Sequence, residues 1–228
     1  SVSMYHACVS EADRFPTDPA FGKRFCLLDD DFARVAVDDG KSVSLYGTTY
    51  QDFYVGSNGY VTFGGADNSY APTLETHFAL PRISGYFSDL SPGILSKISV
   101  KQTKDRVAIT YDSVRDYWGD RHSFQIEMFF DGVIRITWLK LTYPHGIVGL
   151  SAGYGAPFDF QPSDLSAYPV CGSEGEDETP PPWYGCYAAG SPADSPKGGV
   201  LADALVMLSA ASFGYWWITR RQSDSVRR

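Results

Sequence analysis

The chain has 228 residues, four cysteines and a formal charge of −8, from 27 Asp and Glu against 19 Lys and Arg. That balance excludes nucleic acid and anionic lipid headgroups as main partners. An aromatic content of 15% with 22 glycines suits short strands and tight turns, and excludes a plain helical bundle.

Read from the N-terminus, Cys8 and Cys26 come first, and Cys171 and Cys186 lie beyond the central region. In an oxidising compartment the expected pairing is local, Cys8–Cys26 and Cys171–Cys186. The crossed pairing, Cys8–Cys171 with Cys26–Cys186 or the reverse, is the alternative, because domain termini often lie close together. Spacings of 18 and 15 match no zinc pattern. The stretch 29–31 is three aspartates, but it lacks the DxDxDG spacing and the terminal Glu of a calcium loop. It reads as a solvated acidic turn.

From residue 34 the pattern is strand after strand. Segments 34–38 and 43–46 flank Asp38-Asp39-Gly40-Lys41, which reads as a hairpin turn. Segments 52–56 and 60–64 flank Ser57-Asn58-Gly59, where Asn-Gly supplies a positive φ. Strands are expected at 82–87, 97–102 and 106–111. Segments 122–130 and 133–139 flank Asp131-Gly132, the strongest hairpin signal in the chain. There Phe124, Ile126, Met128 and Phe130 alternate with Gln125, Glu127 and Phe129. A last strand is expected at 147–152, and a short helix near 162–165. About ten strands in 120 residues predict an all-β, antiparallel β-sandwich spanning residues 1–170.

After this domain, residues 171–199 turn acidic and then proline-rich, the composition of a linker. Residues 200–219 form an apolar run of bilayer-spanning length, about 30 Å as a helix. Tyr215, Trp216 and Trp217 sit before Arg220 and Arg221, as at a membrane interface. The expectation is a single transmembrane helix over 200–219, with a basic cytoplasmic tail at 220–228. Residues 1–199 carry a formal charge of −10 and the tail +3. Positive-inside then places the N-terminal domain in the periplasm, or outside, of a bacterial inner membrane. An outward domain needs an export signal, expected ahead of Ser1.

The sequence holds no GxSxG, HExxH, P-loop or GxGxxG, and His6, His77, His122 and His145 are scattered. No catalytic residue, cofactor or metal ligand is assigned. Exposed Trp and Tyr are common interface anchors. Tyr117 and Trp118, in a charged loop, and Trp183 and Tyr184, in the linker, are therefore the candidates for protein contact. Ala204, Ala211 and Gly214 would let helix 200–219 approach a partner helix closely.

Several blocks carry a resemblance: YVGSNGYVTFG at 54–64, LPRISGYFSDLSP at 80–92, RVAITYDSV at 106–114, FQIEMFFDGVIRITWL at 124–139 and GIVGLSAGYGAPFDFQPSDLSAY at 146–168. Together, over roughly 30–168, they resemble a β-rich module of large secreted or surface proteins of planctomycetes and related bacteria. The first two blocks also resemble the nidogen-type (NIDO) extracellular domain. The resemblance implies an extracellular β-sandwich and no catalytic residues. The expected function is a non-enzymatic accessory subunit. It would dock, through helix 200–219 and the β-domain, on an integral membrane complex such as a photosynthetic reaction centre–light-harvesting or respiratory assembly. The alternative is a surface adhesion module, in which Gly198-Gly199, the apolar run and the arginines form a C-terminal sorting tail.

Overall fold

A computed structural model describes residues 5–93, 97–142, 146–158, 160–162, 167–171, 205–207 and 215–220. The strands run in chain order as β1 Tyr5–Ser10, β2 Lys23–Phe25, β3 Phe32–Ala36, β4 Val43–Leu45, β5 Thr48–Tyr50, β6 Asp52–Gly56 and β7 Tyr60–Thr62. After a one-turn helix, α1 Leu74–Phe78, come β8 Pro81–Phe87, β9 Lys97–Gln102, β10 Arg106–Arg115, β11 Arg121–Phe129, β12 Ile134–Lys140, β13 Ile147–Ala152, β14 Leu205–Met207 and β15 Tyr215–Arg220. One sheet has the order β1-β15-β12-β11-β10-β9-β2, the other β14-β13-β8-β7-β6-β3, and β4-β5 is a separate ribbon. All the described strand pairings are antiparallel.

The core follows from alternation. Phe124, Ile126 and Met128 of β11 point inward and meet Ile83 and Val61 of the opposite sheet within one apolar cluster. At Gly85 the two sheets approach closely. A Cβ there would lie 2.7 Å from Ile126 Cγ1, and its carbonyl accepts a 2.7 Å hydrogen bond from Trp138 Nε1. Tyr111 stacks on Phe124 at 4.5 Å and donates its hydroxyl to the Gly56 carbonyl across the sandwich. Burial pushes that phenol well up, so it stays a neutral donor.

Both outer faces are also covered. Gln125 and Glu127, alternating with the core residues of β11, are fully buried. The segment ahead of β2 lies over them: Thr17 N–H donates to Gln125 Oε1, Gln125 Nε2 donates to the Thr17 carbonyl, and Thr17 Oγ1 donates to Glu127 Oε1. Arg135 and Arg106 complete the partners of Glu127. On the other sheet, α1 closes over β8, capped by Thr73 Oγ1, which accepts from the Thr76 N–H. Arg82 beneath it is wholly buried, ion-paired with Asp67, its guanidinium carbon 4.2 Å from the Tyr60 ring centroid. A buried cation keeps its charge only with such partners.

Each of the ten segments expected as strands contains a strand, but two connections differ. The 38–41 turn does not join a hairpin: β3 pairs with β6, and β4 with β5. Tyr46 and Gly47, both at positive φ, form the tight turn instead. The helix near 162–165 falls largely outside the described residues.

The local disulfides are not adopted. Cys8 bonds Cys171, with Cα atoms 5.0 Å apart, and Cys26 is exposed and has no disulfide partner among the described residues. The reason is adjacency. Val9 N–H donates to the Pro169 carbonyl and Cys171 N–H to the Val9 carbonyl, which sets the two cysteines side by side. Cys186 lies outside the described residues.

The stretch expected as a membrane helix is described only at residues 205–207 and 215–220, and there it is strand. β15 lies between β1 and β12, pairing Ile218 with Ile134 on one side and Trp217 with Cys8 on the other. Tyr215-Trp216-Trp217-Ile218-Thr219 is aromatic and β-branched, the composition strands favour, and two strand edges lie open to it. Among the described residues, no helix is long and apolar enough to cross a membrane.

Two stability outcomes follow. The disulfide closes a separation of 163 residues, so Cys8→Ser is expected to cost about 2–5 kcal/mol in urea unfolding; an unchanged midpoint would contradict the pairing. Burial, then the Arg82 charge, pushes the His77 imidazole down to about 3. The unfolded chain therefore takes up this proton near pH 6.5 and the folded chain does not, so stability falls as pH drops below about 6.5. His77→Gln is expected to flatten the stability–pH slope between about pH 6 and 4.5, which a pH series of thermal melts would detect; an unchanged slope would show that His77 is not buried neutral.

Candidate functional site

β10 and β11 are joined by Asp116-Tyr117-Trp118-Gly119-Asp120. The geometry of this loop is fixed from below. Asp116 is only 4% exposed, and each of its polar groups has a partner. Oδ2 accepts from His122 Nε2 at 3.0 Å, Oδ1 from the Asp120 N–H at 2.8 Å, and its own N–H donates to the Asp120 carbonyl at 2.9 Å. Gly119, at φ +99, closes the turn by donating to the Asp116 carbonyl. His122 is also fully buried, stacked on Tyr86 at 4.8 Å. The Thr142 N–H donates to its Nδ1 at 3.4 Å, which makes Nε2 the protonated nitrogen facing Asp116.

The loop is tied sideways as well. Tyr117 N–H donates to the Asp89 carbonyl, and Ser91 N–H to the Arg115 carbonyl. With the backbone so held, the two rings stand outward: Tyr117 is 70% and Trp118 69% exposed. They meet edge to face, centroids 5.9 Å apart. The sequence singled out this pair, and the structure makes it an ordered platform on the surface.

Beside the platform lies a group that the sequence did not connect. Asp29, Asp30 and Asp89 each bring a carboxylate oxygen within 4.8 Å of the others. Asn58 organises them. Its Nδ2 donates to Asp30 Oδ1, its Oδ1 accepts from the Leu90 N–H, and its carbonyl accepts from the Ser88 N–H. Gly59 follows at φ +84, where a Cβ would sit 2.0 Å from the Tyr86 carbonyl oxygen, so Asn-Gly is required here by space as well as by φ. Burial first, then Asp30, Asp29 and Asp116, push the Asp89 carboxyl up. Asp29 and Asp30 stand 60 and 59 residues before Asp89, so only the fold brings them together. Carboxylate oxygens are the ligands a calcium ion prefers, but three fall short of the six to eight it takes.

Two further polar pairs are enclosed. His77 Nδ1 lies 2.9 Å from Ser84 Oγ, and both residues are fully buried. The carboxylate–histidine pair is elsewhere, at Asp116–His122. The parts of a Ser–His–Asp arrangement thus sit on different histidines. Of the other interface candidates, Trp183, Tyr184, Ala204, Ala211 and Gly214 lie outside the described residues, as does the membrane-boundary candidate Arg221. Trp216, Trp217 and Arg220 lie along β15.

A family model described as NIDO related matches residues 17–162. The chain belongs to the NIDO-related family. No curated protein and no solved structure matches the chain. The NIDO-related portion contains the platform, the carboxylate group and both polar pairs. Cys8, Cys171 and the strands β1, β14 and β15 lie outside it.

Removing one of the crowded carboxylates is expected to stabilise the fold. The raised carboxyl of Asp89 means that its charge opposes folding above its folded-state pKa, and that the penalty disappears once acid protonates it in both states. Asp89→Asn should therefore raise Tm at neutral pH, with the gain shrinking towards about pH 3. A lower Tm at pH 7 would show that the carboxylate is compensated.

Proposed function

We propose that the chain is an extracellular binding module of adhesion type, and that the Tyr117–Trp118 platform is its contact face. The observation that carries this reading is the contrast within one loop: a fully bonded, buried base beneath two large exposed rings. Exposed aromatics cost solubility, and their backbone is held as firmly as a core turn. Preordered rings bind with little further loss of conformational entropy. Membership of the NIDO-related family supports an extracellular setting, as does the Cys8–Cys171 bond, since disulfides persist in oxidising compartments.

The adhesion reading stands ahead of the accessory-subunit reading. The latter depended on helix 200–219 as a docking surface, and the described parts of that stretch are strands. A bacterial setting and a sorted C-terminal tail remain part of the proposal. Mass spectrometry of the mature C-terminus would show cleavage near Gly198 if the tail is processed.

The test is selection of a random displayed peptide library on the immobilised full chain. Recovered clones are expected to lose about tenfold or more in affinity, about 1.4 kcal/mol, on Trp118→Ala and on Tyr117→Ala. Phe158→Ala, at another fully exposed ring, should leave them bound. Tyr117→Ala should keep its stability within about 0.5 kcal/mol, because the loop's hydrogen bonds at this residue run through the backbone, and a thermal melt of Trp118→Ala separates lost fold from lost contact. Clones held equally by the wild type and by Trp118→Ala would contradict the assignment of this face.

A further inference from the structure

The helix α1 is a small lid on the sandwich. It has five residues, too few to persist through its own backbone bonds. Phe78 anchors it, packed with Tyr60, Phe87 and Ile147 in an apolar cluster distinct from the main core. A single backbone bond, from the Gly155 N–H to the Phe78 carbonyl, joins it to the segment after β13. Lifting α1 would part this small cluster and leave the two-sheet core closed.

The polar groups beneath the lid are incompletely answered. His77 Nδ1 meets the Ser84 hydroxyl, but Nε2 makes no hydrogen bond among the described residues. Arg82 Nε and Nη1 also make none there, and the guanidinium carbon stands 4.2 and 5.1 Å from the Tyr60 and Phe87 ring centroids. The surroundings of His77 carry one free-standing sign of charge. From β8 it faces Arg82. Burial opposes ionisation of Asp67, but Ser69 and Arg82 hold its carboxyl below the ordinary value, so it stays committed to Arg82 in mild acid. From β13 comes the Leu150 carbonyl and no titratable side chain. Burial pushes the Tyr60 phenol well up, which keeps it neutral. Glu75 on α1 and Tyr154 beside Gly155 are exposed. No printed ion pair joins a carboxylate to His77.

We propose that α1 is an acid-operated flap: protonation of His77 lifts Leu74–Phe78 from β8 and β13 and uncovers Tyr60, Phe87 and Ile147, while the sandwich beneath stays closed. A proton on the buried imidazole would set a second cation beside Arg82, in a space where neither has a spare anion. In the lifted state water receives it. Burial, then Arg82, holds the closed-state imidazole at about 3, against about 6.5 in water. The closed state therefore excludes a proton that the lifted state binds, so opening is favoured as pH falls below about 6.5. Between pH 7.5 and 4.5 the opening equilibrium rises about a hundredfold. This device is independent of the Tyr117–Trp118 face.

The test is hydrogen exchange of the full chain, read by mass spectrometry at pH 7.5 and 4.5 and corrected for the intrinsic pH dependence of exchange. The His77 and Ala79 N–H groups, bonded to the Thr73 and Thr76 carbonyls, are expected to lose at least tenfold in protection at pH 4.5, with protection in β11 unchanged. His77→Gln should abolish the drop, and Glu75→Gln, at the exposed acid of the same helix, should retain it. Protection at His77 and Ala79 that is unchanged by acid would overturn the flap. An equal loss in β11 would overturn it as well, because the whole domain would then be loosening. A drop that persists in His77→Gln would overturn His77 as its trigger. The wild-type comparison of α1 with β11 decides the matter even if His77→Gln folds poorly.

Discussion

A carboxylate removed from water must be answered by partners, and beneath the exposed loop Asp116 is answered at both oxygens. Its side chain is 2% exposed, and a histidine with no exposed side-chain surface sits against it. Losing either partner would strand a buried charge or a buried donor, at a cost of several kcal/mol. This one pair connects the core to the surface. His122 stacks on Tyr86, Tyr86 packs on Phe124, and Phe124 stacks on Tyr111, whose hydroxyl crosses to the other sheet. Outward from Asp116, the turn closes through Gly119 and Asp120 and presents Tyr117 and Trp118. The rigidity of the platform is thus inherited from the sandwich.

The same arrangement explains why the carboxylate group lies where it does. Asn58 bridges the 29–31 turn and the 88–90 segment, and Gly59 lets that bridge approach the Tyr86 backbone. Tyr86 is also the ring on which His122 rests. Loops far apart in sequence therefore share one foundation. Their exposed charges and rings are held over the buried contacts of Asn58, Tyr86 and His122.

Much of this was legible in the sequence, for reasons specific to each element. The central strands β8 to β13 announced themselves by alternation and by Asp131-Gly132, because both signals are local. β1, β2 and β5 were missed: they are short or only partly buried, and their patterns are weak. The 38–41 turn misled because sequence neighbours were assumed to pair, whereas β3 found its partner across the β4-β5 ribbon. The disulfide followed adjacency in space, which spacing along the chain does not encode. At 215–220, twenty apolar residues argued for a membrane helix, while the aromatic and β-branched end of the run argued for a strand; length outweighed composition in that reading. Tyr117 and Trp118 were visible as large rings in a charged loop. Asp29, Asp30 and Asp89 were not visible as one group, since nothing local relates them.

The central claim is that Tyr117 and Trp118 are exposed yet held. Backbone ¹⁵N order parameters for residues 116–120 test it directly, with Asp116→Ala measured beside the wild type. Values of about 0.85 at Tyr117 and Trp118, as in rigid backbone, are expected in the wild type, with a clear fall in Asp116→Ala. Wild-type values below about 0.6 would mean a mobile loop and would contradict a preordered binding face.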